Sequence, residues 1–413
     1  MSILQELPTA MLYCIALYIP DGVTLCHFES TCRNVRAALQ STMDPWHVLY
    51  CKRWSFRDTG MSFFDKQAYA ERHAKDREAK HLCQSILQRA ATADPSEDVK
   101  AKEQANDKDF RRLFAMGKDI FDECWTVHDQ IQSASDRERS KTLLLHLQFA
   151  AIITDLVNSI HYQRPASSDE RLEQLAILVS LLACNDAYRN FDQFAEEAIR
   201  APLEAMAQTV RERLTGRSST TAQIIETIHQ LFFLEEGFSG NTEDYYNIEN
   251  SFLHFALQRK CAIPMTLAIL YKGVARRLNV EVHIIGLPGQ IVVGIPALGY
   301  HVDVFNGGRV LHREDLVEIC NSNGHAFHEE LLDPLSPERT VSRIGHNIMT
   351  CVGRAAGNVT AAASPSALRL IMAISLNMTL RDPRQTELVF GQCHMSLVNR
   401  WNRLYGRSDD EQL

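Results

Sequence analysis

Apolar residues near the N-terminus recur every three or four positions, which predicts short amphipathic helices. Pro8 can occupy the first turn of a helix because its missing N–H costs nothing there. Pro20 ends that helix, and two more short helices follow before Trp46. A unit of about 45 residues buries too little surface to be stable alone, so we expect it to dock on another structure.

Periodicity divides the rest of the chain into three further segments. Residues 55–165 carry charged helices with apolar stripes, which predict a helical spacer with solvated charged faces. Residues 166–335 begin helical and then change period, and residues 336–405 are helical again. The first segment is residues 1–54. We predict that the C-terminal helical pair packs back on the third segment, because a unit of this length cannot bury its own face.

Short β-branched runs in the third segment predict an antiparallel sheet. The runs VEVHIIGL, QIVVGI and HVDVF are bounded by proline and glycine. Pro264 can begin the preceding helix and Asn279 can end it, while Asn306-Gly307 predicts a type I′ turn before GRVL. A helix packed on an antiparallel sheet is an α+β domain, which is the predicted fold class within a mostly helical chain.

Charge, hydropathy and cysteine content argue against a nucleic-acid-binding, membrane-spanning or secreted protein. The 413 residues carry a formal net charge of −8, so nucleic acid is not the expected partner. No apolar run reaches the roughly 18 residues of a membrane span, and the N-terminus lacks the basic region of a secretory signal. The 11 cysteines are scattered without a Cys-x-x-Cys pair, which favours reduced thiols in the cytoplasm or nucleus. We expect no metal or other cofactor.

The N-terminal segment resembles the F-box family in the order of its anchor residues. F-boxes bind the Skp adaptor of cullin–RING ubiquitin ligases, so the resemblance implies Skp and a cullin as partners. An ordinary three-helix cap on the next domain is the alternative. The residues that carry the resemblance, and that we predict to bind the adaptor, are Leu7, Pro8, Leu12, Ile15, Leu25, Cys32, Arg33 and Trp46.

The third segment resembles a second family, the bacterial transglutaminase-like proteins that end in tetratricopeptide-like helices. The phrases GFSGN, YY..ENS, IP-x-x-LA-x-LY, VARRL, GLPG and D-x-FNGG occur in that order over about 170 residues. The resemblance implies a papain-like arrangement of helix and sheet. It also implies that the helical pair of residues 336–405 is the tetratricopeptide-like tail.

A papain-like site needs a cysteine at the start of the central helix, a histidine on the first strands and an orienting Asp or Asn. The resemblance places Pro264, Gln290 and Asp303 at these positions. A primary amide is not a general base near neutral pH, so two of the three roles are missing. We therefore predict a catalytically degenerate pocket that binds substrate, with Asn306 and Gly307 at its rim.

Two other interpretations remain open from the sequence. Cys261 could act as a nucleophile with His301 or His283 as base and Asp303 as orienting group, giving a rewired cysteine hydrolase or transferase. The chain could also be a scaffold without ligase association. The combined resemblance implies a substrate receptor of an SCF-type ubiquitin ligase for an unknown protein substrate. It also leads us to expect that the chain lacks the hemimethylated-DNA-binding-like C-terminal domain of a vertebrate relative.

Overall fold

The structure is a computed structural model, and it describes residues 3–40, 45–54, 64–92, 99–161, 167–184, 191–215, 219–355 and 386–405. The chain is mostly helical, with two small sheets in the described part. It divides into two compact units, one of residues 1–147 with 401–413 and one of residues 148–400.

The first unit is built from helices. They are α1 (Thr9–Leu17), α2 (Gly22–Thr31), α3 (Arg33–Gln40), α4 (Pro45–Arg53), α5 (Lys66–Ala91), α6 (Val99–Ala115), α7 (Phe121–Asp129) and the first half of α8 (Ala134–His161). The sequence predicted three helices before residue 55, whereas the described residues there form four, α1 to α4. Trp46 lies in α4, which begins at Pro45, a residue suited to the first helical position.

One apolar core joins α1–α4 to the start of α5. Leu12 and Leu25 are almost fully buried in it, together with Trp46 and Tyr69. Trp54, just after α4, donates its indole N–H to a carboxylate oxygen of Asp76 on α5 at 2.7 Å. The predicted segment of residues 1–54 therefore shares its core with the helix that follows it.

The second unit combines helices with both sheets. Its helices are α9 (Ser168–Ser180), α10 (Phe191–Ala195), α11 (Ala201–Arg213), α12 (Thr221–His229), α13 (Leu253–Arg259), α14 (Pro264–Arg277), α15 (Arg313–Ser322), α16 (Pro337–Ala355) and most of α17 (Thr386–Tyr405). Its strands are β1 (Ser239–Gly240), β2 (Cys261–Ala262), β3 (His283–Leu287), β4 (Gln290–Ile295), β5 (Tyr300–Asp303) and β6 (Arg309–Leu311).

The predicted helix and sheet are confirmed in the second unit. Strands β3 to β6 form an antiparallel sheet in sequence order, and α14 packs against β3 and β4. Helix α14 begins at Pro264, and Asn279 adopts the left-handed conformation that ends a helix. Helix α16 packs against α9 and α14. The family resemblance also implies a turn between the two C-terminal helices at Arg381-Asp382-Pro383, which lies outside the described residues.

The connection between β5 and β6 is longer than predicted. A type I′ turn needs positive φ at both Asn306 and Gly307, but the positive φ angles fall on Gly307 and Gly308. The N–H of Gly308 donates to the carbonyl of Asp303 at 3.0 Å. Asn306 instead turns its side chain back towards Asp303, which makes this loop part of the candidate site.

Candidate functional site

Gln290 and Asp303 meet at one end of the four-stranded sheet. Gln290 is the first residue of β4 and Asp303 the last residue of the neighbouring antiparallel strand β5, so the two lie at the same edge. The amide nitrogen of Gln290 donates to Oδ2 of Asp303 at 2.8 Å. The predicted proximity of these two positions is therefore present in the structure.

Four donors surround the carboxylate of Asp303. Oδ1 accepts from the backbone N–H groups of Phe305 and Asn306 at 3.1 and 3.2 Å. Oδ2 accepts from the side-chain amides of Gln290 and Asn306 at 2.8 and 2.7 Å. A carboxylate has about four lone-pair sites, so these four bonds use the acceptor capacity of Asp303. The residue is 4 % exposed and organises the loop after β5.

A polar cavity of about 300 Å³ opens beside this carboxylate. It lies between the edge of the sheet and helix α15. The lining residues are Gln290, Asp303, Asn306, Arg309, Leu311, Asp315, Glu318, Ile319, Ser322 and Asn323. Gln290 and Asn306 each donate an amide group to Asp303, which leaves their carbonyl oxygens as acceptors.

Charge in the cavity is mostly negative. Asp315 accepts from the backbone N–H of His312 and pairs with Arg309 at 2.5 Å. The bond from His312, with Arg309 nearby, lowers the pKa of Asp315. Glu318 is exposed on the same helix face as Asp315 and Ser322. The cavity therefore presents carboxylate and amide acceptors to a ligand.

Pro264 does not line this cavity, although the sequence predicts a groove between the start of α14 and the strands. Strand β1 is hydrogen-bonded both to the segment before α14 and to the loop after β5. Strand β1 pairs in parallel with β2, just ahead of α14, and the N–H of Gly240 donates to the carbonyl of Phe305 at 2.8 Å. A Cβ at Gly240 would clash with the Phe305 ring, so the aromatic ring packs directly on this strand.

No hydrogen bond joins Cys261, His301 and Asp303 to one another within the described residues. Cys261 lies in β2 and is half-buried. His301 lies against Gly294, its Nδ1 is buried without a partner, and burial lowers its pKa. His283 contacts Glu281 at 2.9 Å instead. This geometry offers no assembled dyad for the rewired enzyme that the sequence left open.

A different cysteine–histidine pair, which the sequence analysis missed, lies in the same unit. The Sγ of Cys184 is 3.2 Å from Nε2 of His254, which is 3 % exposed. Burial lowers the pKa of His254 to about 4, so the ring is neutral at pH 7. A neutral imidazole can accept a hydrogen bond from the S–H group, but it lacks the positive charge that stabilises the thiolate of a nucleophilic pair. The 70 positions between them left no local sequence signal.

The predicted adaptor-binding residues fall into two groups. Leu12, Leu25 and Trp46 are at most 5 % exposed, so their place is the core of the first unit rather than a contact surface. Leu7 and Cys32 are half-buried, while Pro8, Ile15 and Arg33 are exposed. Sequence spacing alone could not separate these groups, because anchors and core residues share the same apolar character.

Three exposed apolar residues close to Ile15 in the chain were not singled out by the sequence. Met11 and Tyr18 are 56 % and 88 % exposed, and Val23 on α2 is 64 % exposed. Met11, Ile15 and Tyr18 are spaced by four and three positions, which puts them on one side of α1. We call Met11, Ile15 and Tyr18 the α1 face.

The described residues contain neither a cluster of metal-ligand side chains nor a membrane-spanning helix. Three or more His, Cys, Asp or Glu side chains do not converge anywhere in that part of the chain as a metal site would require. Within the same ranges, every helix is too short or too polar to cross a membrane.

Comparison with known proteins gives two kinds of relative. The family model of the transglutaminase-like superfamily matches residues 197–345. The UPF0162 protein of Xylella fastidiosa (strain Temecula1 / ATCC 700964) is 29 % identical over 182 residues, which is 42 % of this chain and 62 % of the relative. No solved structure matches the chain.

The second group of relatives aligns with a larger share of the chain, at lower sequence identity. F-box only protein 21 of Mus musculus is 22 % identical over 312 residues, 71 % of this chain and 48 % of the relative. The Homo sapiens protein of the same name is 21 % identical over 318 residues, with the same two shares. The chain spans about half the length of these relatives. Residues 197–345 thus form a transglutaminase-like region in a chain that is similar to F-box only protein 21 over 71 % of its length.

Proposed function

We propose that this chain is a substrate receptor of an SCF-type cullin–RING ubiquitin ligase, acting in the cytoplasm or nucleus. The first unit binds the Skp adaptor, and the cavity beside Asp303 binds a protein substrate. The α1 face carries this proposal, because these large apolar side chains are exposed on a helix whose other side already has a complete core. Similarity to F-box only protein 21 supplies the class of partner.

The energetics of the α1 face suit an apolar adaptor interface. Burying one large apolar side chain is worth about 1.5 to 3 kcal/mol, and each 1.4 kcal/mol is about a tenfold change in affinity. Leu7 and Pro8, at the entry to α1, add partly exposed apolar surface. Leu12, Leu25 and Trp46 contribute indirectly, because they hold α1 and α2 in place.

A test of adaptor binding should leave the core intact. Removing residues 1–54 is unsuitable, because it would strip Tyr69 and Asp76 of core partners such as Trp54. Tyr18→Glu changes a side chain that is 88 % exposed. We expect at least tenfold weaker binding of purified Skp adaptor. Leu234→Glu is the matched control, since Leu234 is 75 % exposed but lies in the second unit. Equal affinity for both variants contradicts the adaptor assignment.

The second unit is proposed to bind rather than to react. Pro264 supplies no nucleophile, Gln290 supplies no base, and the carboxylate of Asp303 has its acceptor sites filled by four donors. The remaining acceptors of the cavity, on Gln290, Asn306 and Glu318, suit a substrate group that donates hydrogen bonds.

Substrate capture by the cavity can be tested on one face of α15. Glu318 lines the cavity, whereas Glu314 on the same helix is exposed and does not. We expect Glu318→Arg to lose co-purifying substrate proteins, measured by quantitative mass spectrometry, while Glu314→Arg retains them. Both variants should still bind the adaptor. If Glu318→Arg captures the same proteins as Glu314→Arg, the cavity is not the substrate site.

A further inference from the structure

Two buried thiols face each other in the first unit. Cys83 on α5 and Cys124 on α7 have their Sγ atoms 3.4 Å apart, and each residue is 2 % exposed. Two other cysteines, Cys51 and Cys184, lie within 3.7 Å of a histidine ring nitrogen. A thiol pair at this distance has a chemistry that the proposed ligase role does not use.

We propose that Cys83 and Cys124 form a reversible disulfide when the protein meets a hydroperoxide, and that this bond fixes α5 to α7. A disulfide needs an S–S distance of about 2.05 Å. The two Sγ atoms, 3.4 Å apart, must therefore approach by about 1.4 Å. The two helices already pack together in the reduced protein.

The oxidation balances with one peroxide. The contact with Cys83 and burial raise the pKa of the Cys124 thiol, so the reaction begins when local opening of α7 lets the peroxide reach the pair. The thiolate of one cysteine attacks the O–O bond and becomes a sulfenic acid, and the leaving hydroxide takes up the thiol proton as the first water. The thiolate of the second cysteine then attacks the sulfenic sulfur, forming the S–S bond and releasing the second water. Two thiols lose two hydrogens, and one hydroperoxide is reduced. For an alkyl hydroperoxide, the first leaving molecule is the alcohol.

A disulfide between Cys83 and Cys124 would join α5 to α7 beside an existing ion-pair contact between them. Arg72, about three turns before Cys83 on α5, is 2 % exposed. It pairs with Asp119 just before α7 and with Asp122 within it. The thiols thus extend a buried polar contact between the same two elements, and a covalent bond there should suppress local opening of α7.

Peptide mapping of the full-length protein tests the bond directly. After hydrogen peroxide, acid quench and alkylation, trypsin without reductant should release residues 81–89 linked to residues 119–137. Each of these peptides contains one cysteine, so the linkage is unambiguous. Reductant should restore two separate peptides. Amide hydrogen exchange of α7 should slow at least severalfold in the oxidised form.

One cysteine variant tests the proposed disulfide, and a second serves as its control. Cys83→Ser should lose both the linked peptide and the slower exchange, while Cys320→Ser, at a buried cysteine of the second unit, should keep both. If Cys83→Ser does not fold, the wild-type mapping still decides. Oxidation of the exposed Cys14 with no linked peptide overturns the proposal, as does linkage of Cys83 to another cysteine. A linked peptide with unchanged exchange of α7 overturns the mechanical part.

Discussion

Replacing His254 with phenylalanine should remove part of the acid sensitivity of the second unit. His254 is 3 % exposed, with its ring centroid 4.1 Å from that of Phe255 and 5.4 Å from that of Phe194. Burial lowers its pKa from 6.5 to about 4. On unfolding the ordinary pKa returns, so below pH 6.5 the unfolded state binds a proton that the folded state excludes.

The sign and size of the effect follow from these two pKa values. The stability contributed by neutral His254 is fully present above pH 6.5 and is lost as the pH falls from 6.5 towards 4. Between about pH 7.5 and pH 5 the loss is about 2 kcal/mol of unfolding free energy. The phenylalanine variant lacks this titration, so its free energy should fall about 2 kcal/mol less over the same range.

Native-state hydrogen exchange of β4 amides measures this free energy for the second unit by itself. Exchange rates are corrected for their intrinsic pH dependence at each pH. Burial also lowers the pKa of His229 and His301, so only the difference between wild type and variant is informative. His328→Gln, at an exposed histidine, is the matched control. If wild type and His254→Phe lose equal free energy on acidification, the buried neutral histidine is refuted.

The remaining predictions concern the core, the loop after β5 and the site. Leu12→Ala should lower the unfolding free energy of the first unit by about 2 to 5 kcal/mol in urea, whereas Ile15→Ala should change it by less than about 0.5 kcal/mol. Asp303→Ala should cost the second unit about 1 to 3 kcal/mol in the same assay, because buried donors lose their acceptor. Gln290→His should place an imidazole beside that carboxylate, with a pKa above its usual value in an NMR titration. A value at or below 6.5 would show that position 290 no longer contacts Asp303.

In the second unit, the sequence predicted the start of α14 and the positions of β3 and β4, because each of these depends on neighbouring residues in the chain. The start of α14 at Pro264 depends on one residue and its missing N–H. The runs that became β3 and β4 are set by β-branched residues between proline and glycine. The Gln290–Asp303 contact followed from the family resemblance, which placed both residues at one site before the strand register was known.

Features that depend on packing were not available from the sequence. The type I′ turn predicted at Asn306-Gly307 is wrong. The Asn306 side chain instead bonds the buried Asp303, three residues earlier, within a longer loop. Leu12 and Leu25 were assigned to a partner surface because apolar spacing identifies a buried face but not what covers it. The sequence did not predict the contact between Cys83 and Cys124. These two cysteines are 41 positions apart, and only the packing of two helices brings them together.

Asp303 links the architecture of the second unit to its proposed role. In a papain-like site the third residue must keep an acceptor for the histidine it orients. The family resemblance places Gln290 at the histidine position, and Gln290 donates to that carboxylate at 2.8 Å. A primary amide there makes the contact but does not act as a general base near neutral pH. Asn306 fills the other site on the same oxygen and fixes the loop at the cavity. A carboxylate held this way favours a rigid pocket, and rigidity lowers the entropy cost of binding a substrate. The proposed binding role and the proposed absence of Cys–His catalysis therefore rest on the same contacts of Asp303.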